Sequence, residues 1–265
     1  MSIDCYDHQL QPVDNQVDWH KQRSFLYGDG HFTTIKVINQ SAQFIDCHLE
    51  RLKIANHRFK IADLDWQRLQ QIISLSAKKQ GDGYLRVHIS RGAGGRGYGG
   101  TLNLTPFVFV TAGDWQAGDG DQNLCLSVAA TPLHPNSMLA GLKHNNRLEQ
   151  VLIATELESA GLKDALVCDT AGNLIETNKA NVFWRNYDGW HTPCLSQCGV
   201  EGVIRGLILK HNPQVQVGHY PIEKVLAESQ SMLICNALTL IKPVAMVADK
   251  AQDVTLIQEL NFNFL

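Results

Sequence analysis

One stretch of this chain has neither helical nor strand periodicity: Gly113-Asp-Trp-Gln-Ala-Gly-Asp-Gly-Asp-Gln122. Its glycines and carboxylates favour turns and solvent over a packed layer, so it reads as a linker between two regularly patterned regions. The expected organisation is a first domain over 1–112, a linker over 113–122 and a second domain over 123–265. In the first, 32–37 and 42–45 read as strands joined by a turn at Asn39-Gln40. Asp46 is placed to cap a helix carrying Leu49, Leu52, Ile54, Ala55 and Phe59. A second helix is expected over 65–79, stopping at Gly81. Strand-like runs at 84–90 and 106–111 flank a glycine-rich loop. The second region opens with a strand over 124–130. A helix over 146–160 follows, with Leu148, Val151, Leu152, Thr155 and Leu157 near helical spacing. Short apolar runs at 165–168, 181–184, 232–235 and 244–247 and a helix over 203–210 complete it. The fold class is therefore mixed α/β (α+β), in two domains.

Composition narrows the function classes. With 44% hydrophobic and 18% charged residues, the chain can bury a core and does not have the makeup of a disordered one. Lys+Arg 23 against Asp+Glu 26 gives a formal charge of −3, without the basic excess of a nucleic-acid binder. No apolar run approaches the roughly 18 residues needed to cross a bilayer, so no membrane partner is expected. The beginning, MSIDCYDHQLQPVD, is polar and acidic, the opposite of a secretory signal. Seven cysteines scattered from Cys5 to Cys235 do not read as a disulfide framework. The expectation is a reduced, cytoplasmic enzyme acting on a small molecule.

Three segments carry residues capable of chemistry. Arg91-Gly-Ala-Gly-Gly-Arg-Gly-Tyr-Gly-Gly100 satisfies G-x-G-x-x-G at Gly92, Gly94 and Gly97. That dinucleotide fingerprint needs a helix at once, and Thr101-Leu-Asn-Leu-Thr-Pro106 is a poor helix start. A single such stretch in an acidic chain also argues against an RNA-binding role. A surface loop remains, or a substrate loop in which glycines permit close approach and Arg96 offers a fork to a carboxylate. His191, Cys194 and Cys198 have donor atoms for zinc, but structural sites take four ligands and the familiar cysteine spacings differ, so no metal is expected. Neither G-x-S-x-G nor G-x-x-x-x-G-K-[ST] occurs. Finally, Leu139-Ala-Gly-Leu-Lys143-His-Asn-Asn-Arg-Leu-Glu-Gln150 puts a lysine in a polar turn before an amphipathic helix. A lysine there is usually a solvated charge; the alternative is an imine-forming lysine, which needs a neutral amine in a partly desolvated site.

Taken together, ordered blocks across nearly the whole chain resemble the fold-type IV pyridoxal-phosphate enzymes. The blocks are Tyr27-Gly-Asp-Gly-His-Phe-Thr-Thr34, His48-Leu-Glu-Arg-Leu52, Ser90-Arg-Gly…Arg96-Gly-Tyr98 and Leu142-Lys-His-Asn-Asn-Arg147. They continue with Glu176-Thr-Asn-Lys-Ala-Asn-Val-Phe183, Gly199-Val-Glu-Gly-Val-Ile-Arg205 and Cys235-Asn-Ala…Ile241-Lys-Pro-Val244. The resemblance implies a two-domain enzyme with pyridoxal 5'-phosphate at the domain junction, and a homodimer in which a partner loop reaches the site. It makes Lys143 the Schiff-base lysine and proton shuttle, Glu176 the partner of the pyridine nitrogen and Arg51 a phosphate ligand. Gly202, Val203 and Ile204 open a helix whose N–H groups would hold the phosphate. Asn236 and Ala237 match a second phosphate-side turn, and Val200 packs on the ring face. Where some relatives carry a hydroxyl residue, Ile204 and Ala237 stand instead.

Within that family the blocks around Lys143 and Arg96 resemble the aminodeoxychorismate lyases more than the aminotransferases. Phe32 replaces a substrate-contacting tyrosine of the D-amino-acid aminotransferases, and Tyr98 replaces their histidine two residues past the loop arginine. Arg96, Arg147 and Tyr98 are then expected to orient substrate carboxylates. The implied reaction converts 4-amino-4-deoxychorismate to 4-aminobenzoate and pyruvate, in folate biosynthesis; a D-amino-acid or branched-chain aminotransferase is the alternative.

Overall fold

The computed structural model describes residues 2–13, 17–101, 103–115 and 124–265; residues 116–122 of the expected linker lie outside the described residues. The chain divides into two compact units, Met1–Gln116 with Lys143–Asn146, and Ala117–Leu142 with Arg147–Leu265. Lys143 was expected in the second domain. Its four-residue segment groups with the first unit because its backbone pairs with a strand there.

The first unit is built on a six-stranded sheet ordered β2-β1-β6-β5-β3-β4. These are β1 (Ser2–Tyr6), β2 (Pro12–Val13), β3 (Gly30–Ile38), β4 (Ser41–Ala42), β5 (Gly83–Ser90) and β6 (Phe107–Gly113), antiparallel throughout. Its helices are α1 (Arg23–Tyr27), α2 (Ile45–Phe59) and α3 (Trp66–Gln80). Strand residues Ile35, Val37, Leu85, Val87, Ile89 and Val110 share one core with Leu49 and Leu52 of α2 and Leu69, Ile72 and Ile73 of α3. Each such buried side chain stabilises the unit by about 1.5–3 kcal/mol. Side chains alternate across a strand, so Phe32 and Thr34 of β3, paired with His88 and Arg86 of β5, stand on the face opposite this core.

The local devices are partly those expected. Asn39 and Gln40 both have positive φ, 50° and 63°, the backbone of a two-residue hairpin turn whose twist matches its strands. Asp65 caps α3 by accepting Arg68 N–H at 2.9 Å, and Gly81 closes it with φ 83°. Asp46 is not a cap: Phe44, with φ 53°, holds that position. The Asp46 carboxylate lies in the first turn, where it meets the helix dipole and accepts from Gln70 Nε2 at 3.1 Å. Ile54, expected on the buried face, is 47% exposed.

The second unit contains two five-stranded sheets, β12-β11-β10-β13-β14 and β16-β15-β7-β8-β9. Its strands are β7 (Cys125–Val128), β8 (Ala165–Cys168), β9 (Leu174–Thr177), β10 (Asn181–Asn186), β11 (Gly189–Pro193), β12 (Gln216–Gly218), β13 (Ser231–Asn236), β14 (Leu240–Val244), β15 (Met246–Val247) and β16 (Lys250–Ala251). Helices α4 (Leu148–Ser159), α5 (Val203–His211) and α6 (Ile222–Glu228) join them. Val182, Trp184, Met232, Ile234 and Val244 of the first sheet pack with Leu126, Leu166 and Leu174 of the second. Only Ile153 and Leu157 of α4 are buried, against Ala165, Val167 and Ile175. Leu148, Val151 and Leu152, also at helical spacing, are 70%, 56% and 53% exposed. Among the described residues no helix is long and apolar enough to cross a membrane.

Candidate active site

In the first unit the chemistry gathers around Phe32. The Phe32 N–H donates to Lys143 C=O at 2.9 Å and the Asn145 N–H donates to Gly30 C=O at 3.0 Å, so residues 143–145 lie alongside β3. Gly30 is required for this approach, since a Cβ there would fall 2.4 Å from Ile89 O and 2.8 Å from Asn145 Nδ2. The register brings Lys143 Nζ to 4.9 Å from the Phe32 ring centroid. Lys143 is half-buried, the partly desolvated setting an imine-forming lysine needs. The other side of the arrangement comes from β5. His88 stacks on Phe32 at 4.9 Å and 17°, and Arg86 places its guanidinium 5.3 Å from the same ring. Burial, then the Arg86 charge, pulls His88 down to about 4, so it is a neutral ring at pH 7.

Arg51 lies behind this cluster on α2, half-buried, with Nη2 3.5 Å from Phe32 O. Two buried histidines flank it. His31 Nε2 is 2.6 Å from Asn56 Oδ1 and His48 Nδ1 is 2.6 Å from Thr33 Oγ1. Burial lowers His31 to about 4 and His48 to about 3, with the Arg51 charge acting in the same direction on both. The Arg51 charge thus helps to keep both imidazoles neutral.

Arg96 and Tyr98 are held differently. Both are exposed on the glycine loop, and the organiser of that loop is Arg23, only 3% exposed. Its Nη1 donates to Gly94 O at 3.3 Å and Gly97 O at 3.0 Å, and Nη2 to Tyr98 O at 3.2 Å. Asp29 orients Arg23 through Nε at 2.8 Å and accepts Arg91 Nε as well. Burial pushes the Asp29 carboxyl up, but the hydrogen bonds from Arg91 and Arg23 outweigh it and hold the group below its usual range. Nothing local in the sequence marks Arg23 for this role, because its partners are more than 70 positions away.

In the second unit Glu176 is the centre. Its place on β9 buries it to 6% exposure, where an isolated reading of its segment favours an exposed strand-end acid. Glu176 Oε2 accepts Val200 N–H at 3.0 Å and Asn181 Nδ2 at 3.4 Å. Asn181 was not among the residues singled out, yet it completes the arrangement. Its Nδ2 donates to Val200 O at 2.8 Å and its Oδ1 accepts Gly202 N–H at 3.1 Å. These bonds fix the turn into α5, whose first N–H groups, from Val203 and Ile204, have no intrahelical partners. Gly202 is needed because a Cβ would meet Asn181 Oδ1 at 2.2 Å. Ile204 is fully buried and offers only its backbone. Arg147, at the start of α4, donates to Leu142 O at 3.1 Å. Burial lowers its pKa while Glu176 and Glu149 raise it, so its charge is shared with those acids.

Asn236 shapes its turn: its Oδ1 accepts Leu238 N–H, Thr239 N–H and Thr239 Oγ1 at 2.8–2.9 Å. The backbone of the half-buried Ala237 follows from that turn. Of the possible zinc ligands, His191 and Cys194 have partners within the fold. His191 Nε2 and Nδ1 face Asn186 Oδ1 at 2.8 Å and Tyr220 Oη at 3.2 Å. Among the described residues no group of three or more His, Cys, Asp or Glu could hold a metal ion.

Residues 30–247 match the family model for class IV amino-transferases, a span running from the glycine beside Asn145 to the strand after Val244. This chain belongs to the amino-transferase class IV family. Among its members it is 34% identical over 238 residues to the aminodeoxychorismate lyase of Vibrio harveyi, covering 85% of this chain and 86% of that one. The crystal structure of 4-amino-4-deoxychorismate lyase from Pseudomonas aeruginosa superposes with a TM-score of 0.85 at 27% identity, covering 94% and 93% of the two chains. The branched-chain amino acid aminotransferase of Escherichia coli shares the fold, with a TM-score of 0.81 at 18% identity over 97% and 92%. This class IV chain is thus a fold-type IV enzyme in architecture, as its sequence blocks implied.

Proposed function

We propose that this class IV chain is a pyridoxal 5'-phosphate-dependent lyase converting 4-amino-4-deoxychorismate to 4-aminobenzoate and pyruvate. The observation that carries this reading is the end-to-end likeness to the Vibrio harveyi lyase. The residues present fit the cofactor. A cradle at Gly202 that a Cβ would fill and the first turn of α5 suit a phosphate, as does the half-buried Arg51. By the resemblance, Lys143 would hold the aldehyde carbon, the buried Glu176 carboxylate would hold the ring nitrogen, and Val200 and the turn at Asn236-Ala237 would border the ring. When bound, the cofactor supplies a sink for the electrons left on the amine-bearing carbon.

The protein's own groups do the rest. Lys143 Nζ, freed as an amine once the substrate amine takes its place, would take the proton from the amine-bearing carbon. The electron pair released there expels the enolpyruvyl oxygen from the neighbouring carbon, the ring becomes aromatic, and the departing enolate takes up a proton at its methylene carbon to become pyruvate. Glu176 would pair with the cofactor's ring nitrogen and favour its protonated form. Arg96, Arg147 and Tyr98 orient the substrate carboxylates. The exposed positions of Arg96 and Tyr98 suit groups that serve the site of a second subunit. The bare apolar stripe of α4, Leu148, Val151 and Leu152, suits the interface of a homodimer. The scattered free cysteines favour a reducing, cytoplasmic setting, and the proposed product, 4-aminobenzoate, serves folate biosynthesis.

The test is product analysis on purified, cofactor-loaded protein. Formation of the fluorescent aromatic amine together with an equal amount of pyruvate is the expected result. Exchange of amino groups between amino and keto acids without that product would instead make the chain an aminotransferase.

A further inference from the structure

The second unit carries a cation at the wrong end of a helix. Arg205 is the third residue of α5, whose first turn holds no acid. A helix N-terminus bears partial positive charge and favours carboxylates, so a guanidinium there adds charge to like charge. Arg205 is also buried, at 6% exposure. Its stem packs beside the Gly202 cradle, with Arg205 Cβ 3.9 Å from where a Cβ on Gly202 would stand. Its head reaches β11, where Nη2 donates to Pro193 O at 2.8 Å and Nε to Thr192 Oγ1 at 3.4 Å. Both acceptors are neutral. Among the described residues Arg205 forms no ion pair. Burial pulls it down from the usual arginine range, while Glu201 and, more weakly, Glu176 oppose this from beyond ion-pair contact. Glu201 is exposed, and Glu176 is committed to Val200 N–H and Asn181. An arginine keeps its proton even so. A buried charge without a paired one destabilises a fold until something compensates it.

We infer that Arg205 is the counter-charge for an anion at the N-terminus of α5, a positioning residue that gives the protein its preference for a phosphorylated cofactor. The inference rests on the reading of the Gly202 turn as the phosphate cradle. The turn offers backbone N–H groups, which orient a phosphate but are neutral donors. Arg205 adds a full charge from within the fold, where solvent and salt screen it little. Its bonds to β11 keep that charge under the first turn. Lysine at this position retains the charge and loses the planar head. Methionine retains an apolar stem and loses the charge.

The test titrates wild-type, Arg205→Lys, Arg205→Met and Arg205→Gln apo-proteins with pyridoxal 5'-phosphate and with pyridoxal, which lacks the phosphate, and follows visible absorbance. Wild type prefers the phosphorylated aldehyde. Arg205→Met lowers that preference about tenfold or more while its affinity for pyridoxal stays within about twofold of wild type, as loss of one charge interaction predicts. Arg205→Gln, a second neutral variant that can still donate to Pro193 O, gives the same result. Arg205→Lys keeps most of the preference. Inorganic phosphate, against chloride at equal ionic strength, raises the melting temperature of wild-type and Arg205→Lys apo-protein, and raises that of the neutral variants less. Equal loss of both aldehyde affinities in the neutral variants makes Arg205 merely structural and overturns the assignment, as does an unchanged preference. If neither neutral variant folds, absence of the phosphate shift in wild type and Arg205→Lys overturns it. A wild type that binds neither aldehyde, yet shows a phosphate shift that Arg205→Met loses, overturns the cofactor reading while supporting the counter-charge.

Discussion

Phe32 and Lys143 are joined twice, by a main-chain hydrogen bond of 2.9 Å from Phe32 N–H to Lys143 C=O and by the Lys143 ammonium 4.9 Å from the Phe32 ring centroid. The first contact sets where the lysine leaves the backbone. The second sets what its amine meets. A residue 111 positions earlier in the chain thereby defines the surroundings of the reactive amine, and β3 is the platform for both contacts.

Replacing Phe32, which is 9% exposed, by alanine removes the ring that Lys143, Arg86 and His88 share. The expected loss of stability is about 3 kcal/mol or more, the ordinary cost of emptying a buried aromatic site. Urea denaturation measures it; a change below about 1 kcal/mol would mean the ring contributes little packing.

Gly202→Ala isolates the phosphate cradle. The glycine has φ −70° and ψ 146°, open to any L-residue, so the effect is steric: the new Cβ falls 2.2 Å from Asn181 Oδ1. Displacing Asn181 releases the turn that presents the α5 N-terminus. Cofactor affinity, read by spectrophotometric titration of the apo-protein, falls about tenfold or more, equivalent to one lost charge-assisted contact. Unchanged affinity would remove Gly202 from the cradle.

Arg23→Lys tests the strap under the glycine loop. One ammonium cannot replace a guanidinium that bonds three loop carbonyls and Asp29. Limited proteolysis within 92–100 accelerates about tenfold, and the substrate KM rises while kcat holds, as expected when a binding loop loosens. Equal cleavage rates in variant and wild type would show the loop to be ordered by other means.

The buried histidines give the stability a pH dependence of definite sign. His31 and His48 are lowered to about 4 and about 3 in the fold, from an ordinary value of about 6.5 in the unfolded chain. The unfolded state therefore takes up protons first. Stability is fully present above about pH 6.5 and is lost progressively as the pH falls toward those lowered values, by a few kcal/mol for the pair. Urea midpoints should drop across this window and drop less steeply in His48→Gln. A midpoint independent of pH down to about 4 would contradict the burial of neutral imidazoles.

The sequence revealed what depends on local pattern. The Asn39-Gln40 turn and the stop of α3 at Gly81 are written in neighbouring residues, and both were legible. Ordered blocks likewise marked Lys143, Arg51 and Glu176 together. What was not legible depends on partners distant in the chain. Periodicity does not decide which side of α4 faces a core: of the residues at helical spacing, Leu157 lies inside and Leu148, Val151 and Leu152 lie outside. Arg23 and Asn181 acquire their roles only when loops and strands far apart in sequence meet them. Phe44 displaced Asp46 as the cap of α2 because its left-handed backbone turns the chain from β4 directly into the helix.

The most direct measurement is the site of covalent cofactor attachment. Purified protein should absorb in the visible, and borohydride should bleach it while fixing the cofactor to a single peptide. Mass mapping of that peptide is predicted to place the adduct on Lys143, with Lys143→Ala giving a folded, colourless protein without turnover. An adduct on another lysine, or full turnover in Lys143→Ala, would contradict the account.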